Sequence, residues 1–280
     1  MILKNYIKEI MKMGAKFAYT VWQWGAENKE QMIQGIKDIH EVGFEYFEST
    51  KPFIDLFKDD DAGFEALCEE YNVRPVGAYF HLNGTKENDI DDIEAKIPFM
   101  LKHKMYRMSL QGLGTASATP EELKYTVDTI NKIGEICKPY GICPCVHPHY
   151  NTSIMIEKEI DFVMQNTDPS CVFFGPDTAH LTAGGCDAVE IYDRYKERIR
   201  FTHLKDIDMN EVLKSEGMEQ GKEVYSNFRE LGQGTVNFKG IFDVLKSVNY
   251  DGYLCAELDR SRFGNKESAA MSLKYLKENW

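Results

Sequence analysis

The sequence predicts an α/β chain folded as a (β/α)8 TIM barrel, on three observations. Short strand-like runs alternate with amphipathic helical stretches from one end to the other; the alternation recurs eight times at roughly 30-residue intervals; and no Gly-rich phosphate turn follows the first run. A doubly wound open sheet shares the alternation, but its nucleotide-binding form carries that turn. With 280 residues and 43% hydrophobic content the chain can fill one barrel core, so residues 1–280 are taken as a single domain.

Residues 1–13 are expected to add a short N-terminal extra helix before the first strand. Strands are expected at residues 16–20, 44–48, 74–80, 105–110, 142–147, 171–175, 200–204 and 252–257, several as near-continuous apolar runs of the kind parallel strands show when covered on both faces. Helices are expected at 29–42, 62–71, 121–140, 188–198, 238–248 and 266–278. In the first, Met32, Ile33, Ile36 and Ile39 recur at helical spacing, and Thr119-Pro120-Glu121-Glu122 supplies a cap, a first-turn proline and acids at the positive end of a helix dipole. Residues 207–231, charged and containing Gly217 and Gly221, read as a long loop after a late strand, the usual place for a lid or a substrate contact.

Composition excludes some functions. A formal charge of −12 disfavours nucleic acid, whose phosphates call for a basic face. No apolar stretch approaches the about 20 residues of a membrane span, and the N-terminal residues are interrupted by Lys4, Lys8 and Lys12, so no membrane partner and a cytoplasmic location are expected. Seven cysteines scattered through a chain of this size read as reduced thiols. A homo-oligomer is compatible with all of this.

Barrel active sites collect at the C-terminal ends of the strands. There the sequence places Glu48 (second strand), His81 (third), His147 and His149 (fifth), Asp177 and His180 (sixth), His203 and Lys205 (seventh) and Glu257 (eighth); five of the seven histidines fall at these ends. A single strand-end histidine is more often a hydrogen-bonded structural group than a ligand. Asp177 could cap the helix beyond Gly185, and Asp206 and Asp259 could cap as well. Convergence favours a site: His147, Asp177, His203 and Glu257, from four strands, would surround one point. Mixed nitrogen and oxygen donors suit one divalent Mn, Co, Zn or Fe ion better than calcium. The run Cys143-Pro144-Cys145-Val146-His147-Pro148-His149 also suggests a zinc site, but four same-face positions span about 20 Å of strand, so the cysteines read as core residues.

Asp177-Thr178-Ala179-His180-Leu181, His203-Leu204-Lys205-Asp206, Leu231-Gly232-Gln233-Gly234 and Glu257-Leu258-Asp259-Arg260 occur in the order and spacing of the xylose-isomerase-like sugar phosphate isomerase/epimerase superfamily, which the chain resembles over nearly its whole length, including Gly43–Glu48. His147-Pro148-His149 is similar in particular to the inosose (2-keto-myo-inositol) dehydratase branch. The resemblance implies one divalent metal on His147, Asp177, His203 and Glu257, with His180 facing substrate and the Gly232–Gly234 turn covering the pocket. Isomerases and epimerases of this kind carry glutamate where His147 stands and use two opposed glutamates; only Glu257 remains here. That departure favours a lyase that deprotonates a small polyhydroxylated ketone or sugar and eliminates a β-substituent.

In that scheme His149, His180 and Glu257 are the acid/base candidates, and an imidazole (His149 or His180) acts as the acid that protonates the leaving oxygen. Lys205 and Arg260 orient substrate oxygens, Glu48 and His81 bind hydroxyls, and Trp22 and Trp24 form an apolar wall. Isomerisation or epimerisation, DNA repair and a non-catalytic sugar-binding or partner subunit are the alternatives.

Overall fold

The computed structural model describes residues 14–214 and 218–280; the helix expected at 1–13 lies outside the described residues. The strands are β1 (Lys16–Thr20), β2 (Tyr46–Thr50), β3 (Arg74–His81), β4 (Arg107–Gln111), β5 (Cys143–His147), β6 (Phe173–Phe174), β7 (Thr202–Leu204) and β8 (Tyr253–Ala256). They form one parallel sheet in the order β6-β5-β4-β3-β2-β1-β8-β7. Two isolated parallel bridges, Phe174 to Ile199 and Asp177 to His203, bring its ends together. The seam between β6 and β7 is thus the most sparsely paired part of a nearly closed barrel.

Alternation along the strands sorts the core into layers. Ala18, Val76, Cys145, Phe201 and Cys255 fill the barrel interior, and Cys143 packs against them, so the cysteines of β5 are core residues. Outward residues such as Phe47, Ala78, Phe80, Met108, Leu110 and Val146 meet the helices. All seven cysteines are free thiols. Between Phe47 and Glu48 the register of β2 on β3 slips by one residue, from Pro75 to Gly77. This bulge turns Gly77 and Tyr79 inward beyond Val76. Gly77 is required there, because a Cβ would lie 2.2 Å from the Arg107 carbonyl oxygen.

The helix Lys29–Val42 starts at Asn28, whose side chain accepts from the Gln31 N–H, and stops at Gly43 in the left-handed region. Thr119 and Glu122 make a reciprocal capping box at the start of Pro120–Cys137. The long connection at 207–231 is not a plain loop. It contains the helices Met209–Val212 and Met218–Ser226 and a two-residue antiparallel ladder of Asp206–Ile207 with Phe228–Arg229. Ile207, Val212, Val224 and Phe228 pack with Ala179 and Leu258 as a small separate core over the barrel mouth. No helix among the described residues is long and apolar enough to cross a membrane.

Candidate metal centre

His147 ends β5 and is buried. Its Nδ1 lies 3.0 Å from the Gly175 carbonyl oxygen, which only an N–H can approach favourably, so Nε2 carries the lone pair. Asp177 follows β6 and caps the helix Thr178–Ala183: Oδ1 accepts from the His180 N–H at 2.8 Å. The expected capping role is real but one helix early, since Ala188–Tyr195 is capped by Asp187. His203 lies in β7, where its Nε2 hydrogen-bonds to Glu48, so that in the neutral ring Nδ1 is the nitrogen without a proton. Glu257 follows β8, with Oε1 taking a hydrogen bond from Lys205 Nζ at 2.6 Å.

Each of these four side chains uses one polar atom on the protein and leaves one over. Ten buried side-chain nitrogen and oxygen atoms among the described residues lack a hydrogen-bond partner, and four of them are His147 Nε2, Asp177 Oδ2, His203 Nδ1 and Glu257 Oε2. Such atoms are rare because each forfeits its hydration. The donor atoms of His147, Asp177 and His203 lie within 4.8 Å of one another. His203 Nδ1 and Glu257 Oε2 approach to 2.9 Å without the alignment of a hydrogen bond. Three of these lone pairs close on one buried point with Glu257 Oε2 beside His203, and a set of two nitrogens and two carboxylates fits a divalent transition ion.

Charge points the same way. The carboxylates of Asp177, Glu257, Asp259 and Glu48 cluster around one buried ammonium, Lys205, and around His203. Burial pushes the Asp177 carboxyl up, and Lys205 only partly offsets this. Against the effect of burial, Lys205 and His203 hold Glu257 well below the usual carboxylate range. Burial opposes the His203 cation, yet Glu48 and Glu257 raise its pKa to about 10. A divalent ion would relieve this excess of negative charge.

Above the four lie His149 and His180, ring centroids 3.6 Å apart. His149 Nδ1 is 2.8 Å from the Tyr150 carbonyl oxygen, so Nδ1 donates and Nε2 is free to accept. Burial and the nearby Lys205 push its pKa down to about 4, so the resting ring is neutral and able to accept a proton. His180 is buried with both nitrogens turned to the protein: Nδ1 accepts from the Tyr150 N–H at 3.2 Å and Nε2 sits 3.0 Å from Lys205 Nζ. The substrate-facing place expected for His180 is therefore not the one it occupies. Lys205, expected to orient substrate, is itself fully buried among Glu257, Asp259 and His180.

The other expected contacts divide. Trp22 presents an edge to His203 and Tyr79, at 5.8 and 5.7 Å, on the wall of the site. Trp24 turns away: its Nε1–H donates to Asp38 and its ring packs against Gly35. Glu48, expected to bind hydroxyls, is wholly buried behind His203 with both oxygens engaged, by Ser109 and His203. His81 is exposed at the rim, where burial and Lys51 lower its pKa. Arg260 is exposed and lines a cleft of about 670 Å³ with Lys222, Tyr225, Ser226 and Asp259. The Gly232–Gly234 turn is tied down by Asp206, which accepts from the N–H groups of Gly232, Gly234 and Val236.

Tyr79 and Tyr225 complete the surroundings, and the sequence did not single them out. Tyr79 stacks on His203 at an interplanar angle of 14° and donates to Gln111; its place two residues before His81 was the available signal. Tyr225 lies over His149 and donates to the Tyr150 carbonyl.

A family profile described as "Xylose isomerase-like TIM barrel" matches residues 36–279. The chain belongs to the xylose isomerase-like TIM barrel family. Among relatives of this barrel family, an inosose dehydratase of Geobacillus kaustophilus (strain HTA426) is 33% identical over 216 residues, covering 76% of this chain and 68% of that protein. An inosose dehydratase of Clostridium tetani (strain Massachusetts / E88) is 34% identical over 165 residues, 57% of this chain but only 55% of that protein. The chain thus spans about half the length of the clostridial relatives it matches. A probable 3-DHS dehydratase from Bacillus anthracis has the same fold, with a TM-score of 0.71 at 17% identity over 94% of this chain and 98% of that one. A D-allulose 3-epimerase from Methylomonas sp. gives 0.74 at 15% identity over 95% and 98%.

Proposed function

We propose that this chain is a divalent-metal-dependent dehydratase acting on a keto-cyclitol or a related small polyhydroxylated ketone. The observation that carries the proposal is the set of four orphaned donor atoms on His147, Asp177, His203 and Glu257; the family resemblance adds that His147 stands where a two-base epimerase is expected to carry its second glutamate. The similarity to inosose dehydratases supports the substrate class.

In this reading His147 Nε2, Asp177 Oδ2, His203 Nδ1 and Glu257 Oε2 would hold the ion. When bound, it supplies a Lewis acid that stabilises the negative charge developing on the ketone oxygen. The proton chemistry belongs to His149. Because Nδ1–H is committed to the Tyr150 carbonyl, Nε2 offers a lone pair towards the mouth. It takes the proton from the carbon beside the ketone, and the C–H electrons become the new C=C bond as the C–O bond one carbon further breaks. The imidazolium then returns its proton to the departing hydroxyl, which leaves as water. One imidazole serving both steps implies loss of H and OH from the same face. Lys205 holds Glu257 Oε1 and thereby turns Oε2 to the ion; His180 supports the ring of His149 from beneath. Trp22 and Tyr79 offer apolar surface to the C–H face of a ring.

The test is incubation of Mn²⁺- or Co²⁺-loaded protein with 2-keto-myo-inositol in D₂O, followed by NMR and mass spectrometry. Loss of one water is expected, and His149→Ala should lower turnover by about 10²–10⁴-fold while retaining the metal. A product of unchanged composition with deuterium at an inverted or shifted centre would make the enzyme an epimerase or isomerase instead.

A further inference from the structure

Glu48 is a carboxylate with no exposure, set midway along β2 beside the apolar barrel layer of Ala18, Cys145, Phe201 and Cys255. Burying a carboxylate there is costly unless both oxygens are bonded. Both are: Oε1 accepts from the Ser109 hydroxyl at 2.8 Å, and Oε2 from His203 Nε2. No cation other than His203 reaches it among the described residues. A leucine would fill this place more cheaply, so the carboxylate calls for a role beyond packing.

The role follows from the two nitrogens of His203. Imidazole has two neutral tautomers, and the partner of one nitrogen decides which carries the proton. Glu48 is an acceptor only, so it requires the proton on Nε2. In the neutral ring that leaves Nδ1 as the lone pair, on the side where Asp177 Oδ2, His147 Nε2 and Glu257 Oε2 stand without partners. Ser109, two strands further round on β4, fixes the carboxylate so that Oε2 faces the ring. Tyr79, its ring nearly parallel to that of His203 with centroids 6.1 Å apart, flanks the imidazole.

We propose that Glu48 is a positioning residue: with Ser109 it locks His203 in the Nε2–H tautomer and so prepares Nδ1 to bind the metal ion. The inference rests on the metal reading above and adds a component to it, since Glu48 touches neither ion nor substrate. Oriented ligands of this kind characteristically raise metal affinity 10–100-fold.

The experiment measures Co²⁺ dissociation constants by chelator competition and the His203 tautomer by ¹⁵N NMR of histidine-labelled protein. Glu48→Leu removes the acceptor at similar volume; Co²⁺ binding should weaken by about 10–100-fold. Glu48→Gln can still accept through its amide oxygen and should recover part of that loss, which a role in packing alone would not produce. In metal-free wild type, the neutral form of His203 should carry its single proton on Nε2. A Glu48→Leu dissociation constant within about twofold of wild type, or a neutral wild-type His203 carrying its single proton on Nδ1, would overturn the proposal while leaving the metal centre standing. Failure of the wild type to bind Co²⁺ would remove the metal reading itself. If Glu48→Leu does not fold, the wild-type tautomer and Glu48→Gln decide the matter.

Discussion

Lys205 shows how much of this site is held by charge. Its Nζ lies 2.6 Å from Glu257, 3.2 Å from Asp259 and 3.5 Å from Asp177, with no exposure to solvent, and the Phe228 ring closes it in at 4.4 Å. Burial would drive off its proton, but Asp177, Asp259 and Glu257 raise its pKa, so it stays an ammonium. Replacing it by methionine keeps the volume and strands the carboxylates. Removing one partner of a buried ion pair typically costs about 3–5 kcal/mol. Lys205→Met should therefore destabilise the metal-free protein by about that amount in urea denaturation, and added Co²⁺ should restore part of it. A loss below about 1 kcal/mol would show that the carboxylates are compensated without Lys205. At this scale the sequence was informative about identity and poor about depth. His147, Asp177, His203 and Glu257 could be placed because each ends a recognisable strand. Glu48 closes the second expected strand run but lies midway along β2, and its place behind His203 depends on Ser109, 61 residues away. Likewise, only the Tyr150 loop shows that His149 keeps a free nitrogen and His180 does not.

At the scale of elements, the well-patterned segments were legible to within a residue or two. Lys16–Thr20 and Lys29–Val42 coincide with expectation, and the expected helix at 121–140 is Pro120–Cys137 followed by a 3-10 turn, Lys138–Tyr140. The helix Lys86–Lys102 was not singled out: it is acidic along its first half and carries Pro98, so its apolar stripe is thin. The 207–231 connection was read as loop because its helices are short and their apolar residues face the barrel mouth rather than the main core. Its order depends on one buried carboxylate, Asp206, whose hydrogen bonds to Gly232, Gly234 and Val236 bring the far end of the segment back. From this platform Tyr225, 39% exposed, leans over His149 and lines the cleft with Arg260. Tyr225→Ala should leave the fold intact and weaken substrate binding by the worth of an aromatic contact, about 0.5–1.5 kcal/mol, or roughly 2–10-fold in KM. Steady-state kinetics on the metal-loaded variant provide the check. Loss of kcat with KM unchanged would instead mean that the Tyr225 hydroxyl matters through the Tyr150 carbonyl it shares with His149.

For the whole molecule, eight strand-like runs announced a barrel, but where the barrel is weakest could not be read from them. Neighbouring strands elsewhere share ladders, whereas β6 and β7 meet only through the Phe174–Ile199 and Asp177–His203 bridges. Asp177 and His203, the second of these bridged pairs, are also two of the four candidate ligands. An ion held by them, with His147 on β5 and Glu257 beyond β8, would fasten the seam from both sides. Binding to the folded state alone adds RT ln(1 + [L]/Kd), about 4 kcal/mol when the free ion is a thousandfold above Kd. At about 2 °C per kcal/mol for a chain of this size, metal-replete protein should melt roughly 8 °C above the chelated form, and Mn²⁺ or Co²⁺ should restore the difference. The loss should also be local. Hydrogen exchange after chelation should accelerate first at the His203 and Arg200 N–H groups, which donate across the seam to the Pro176 and Phe174 carbonyls. The β2–β3 and β3–β4 ladders should keep their protection. A melting temperature indifferent to chelation and re-addition would mean that no ion joins these strands. A uniform loss of protection would mean that the ion stabilises the barrel without acting at its seam.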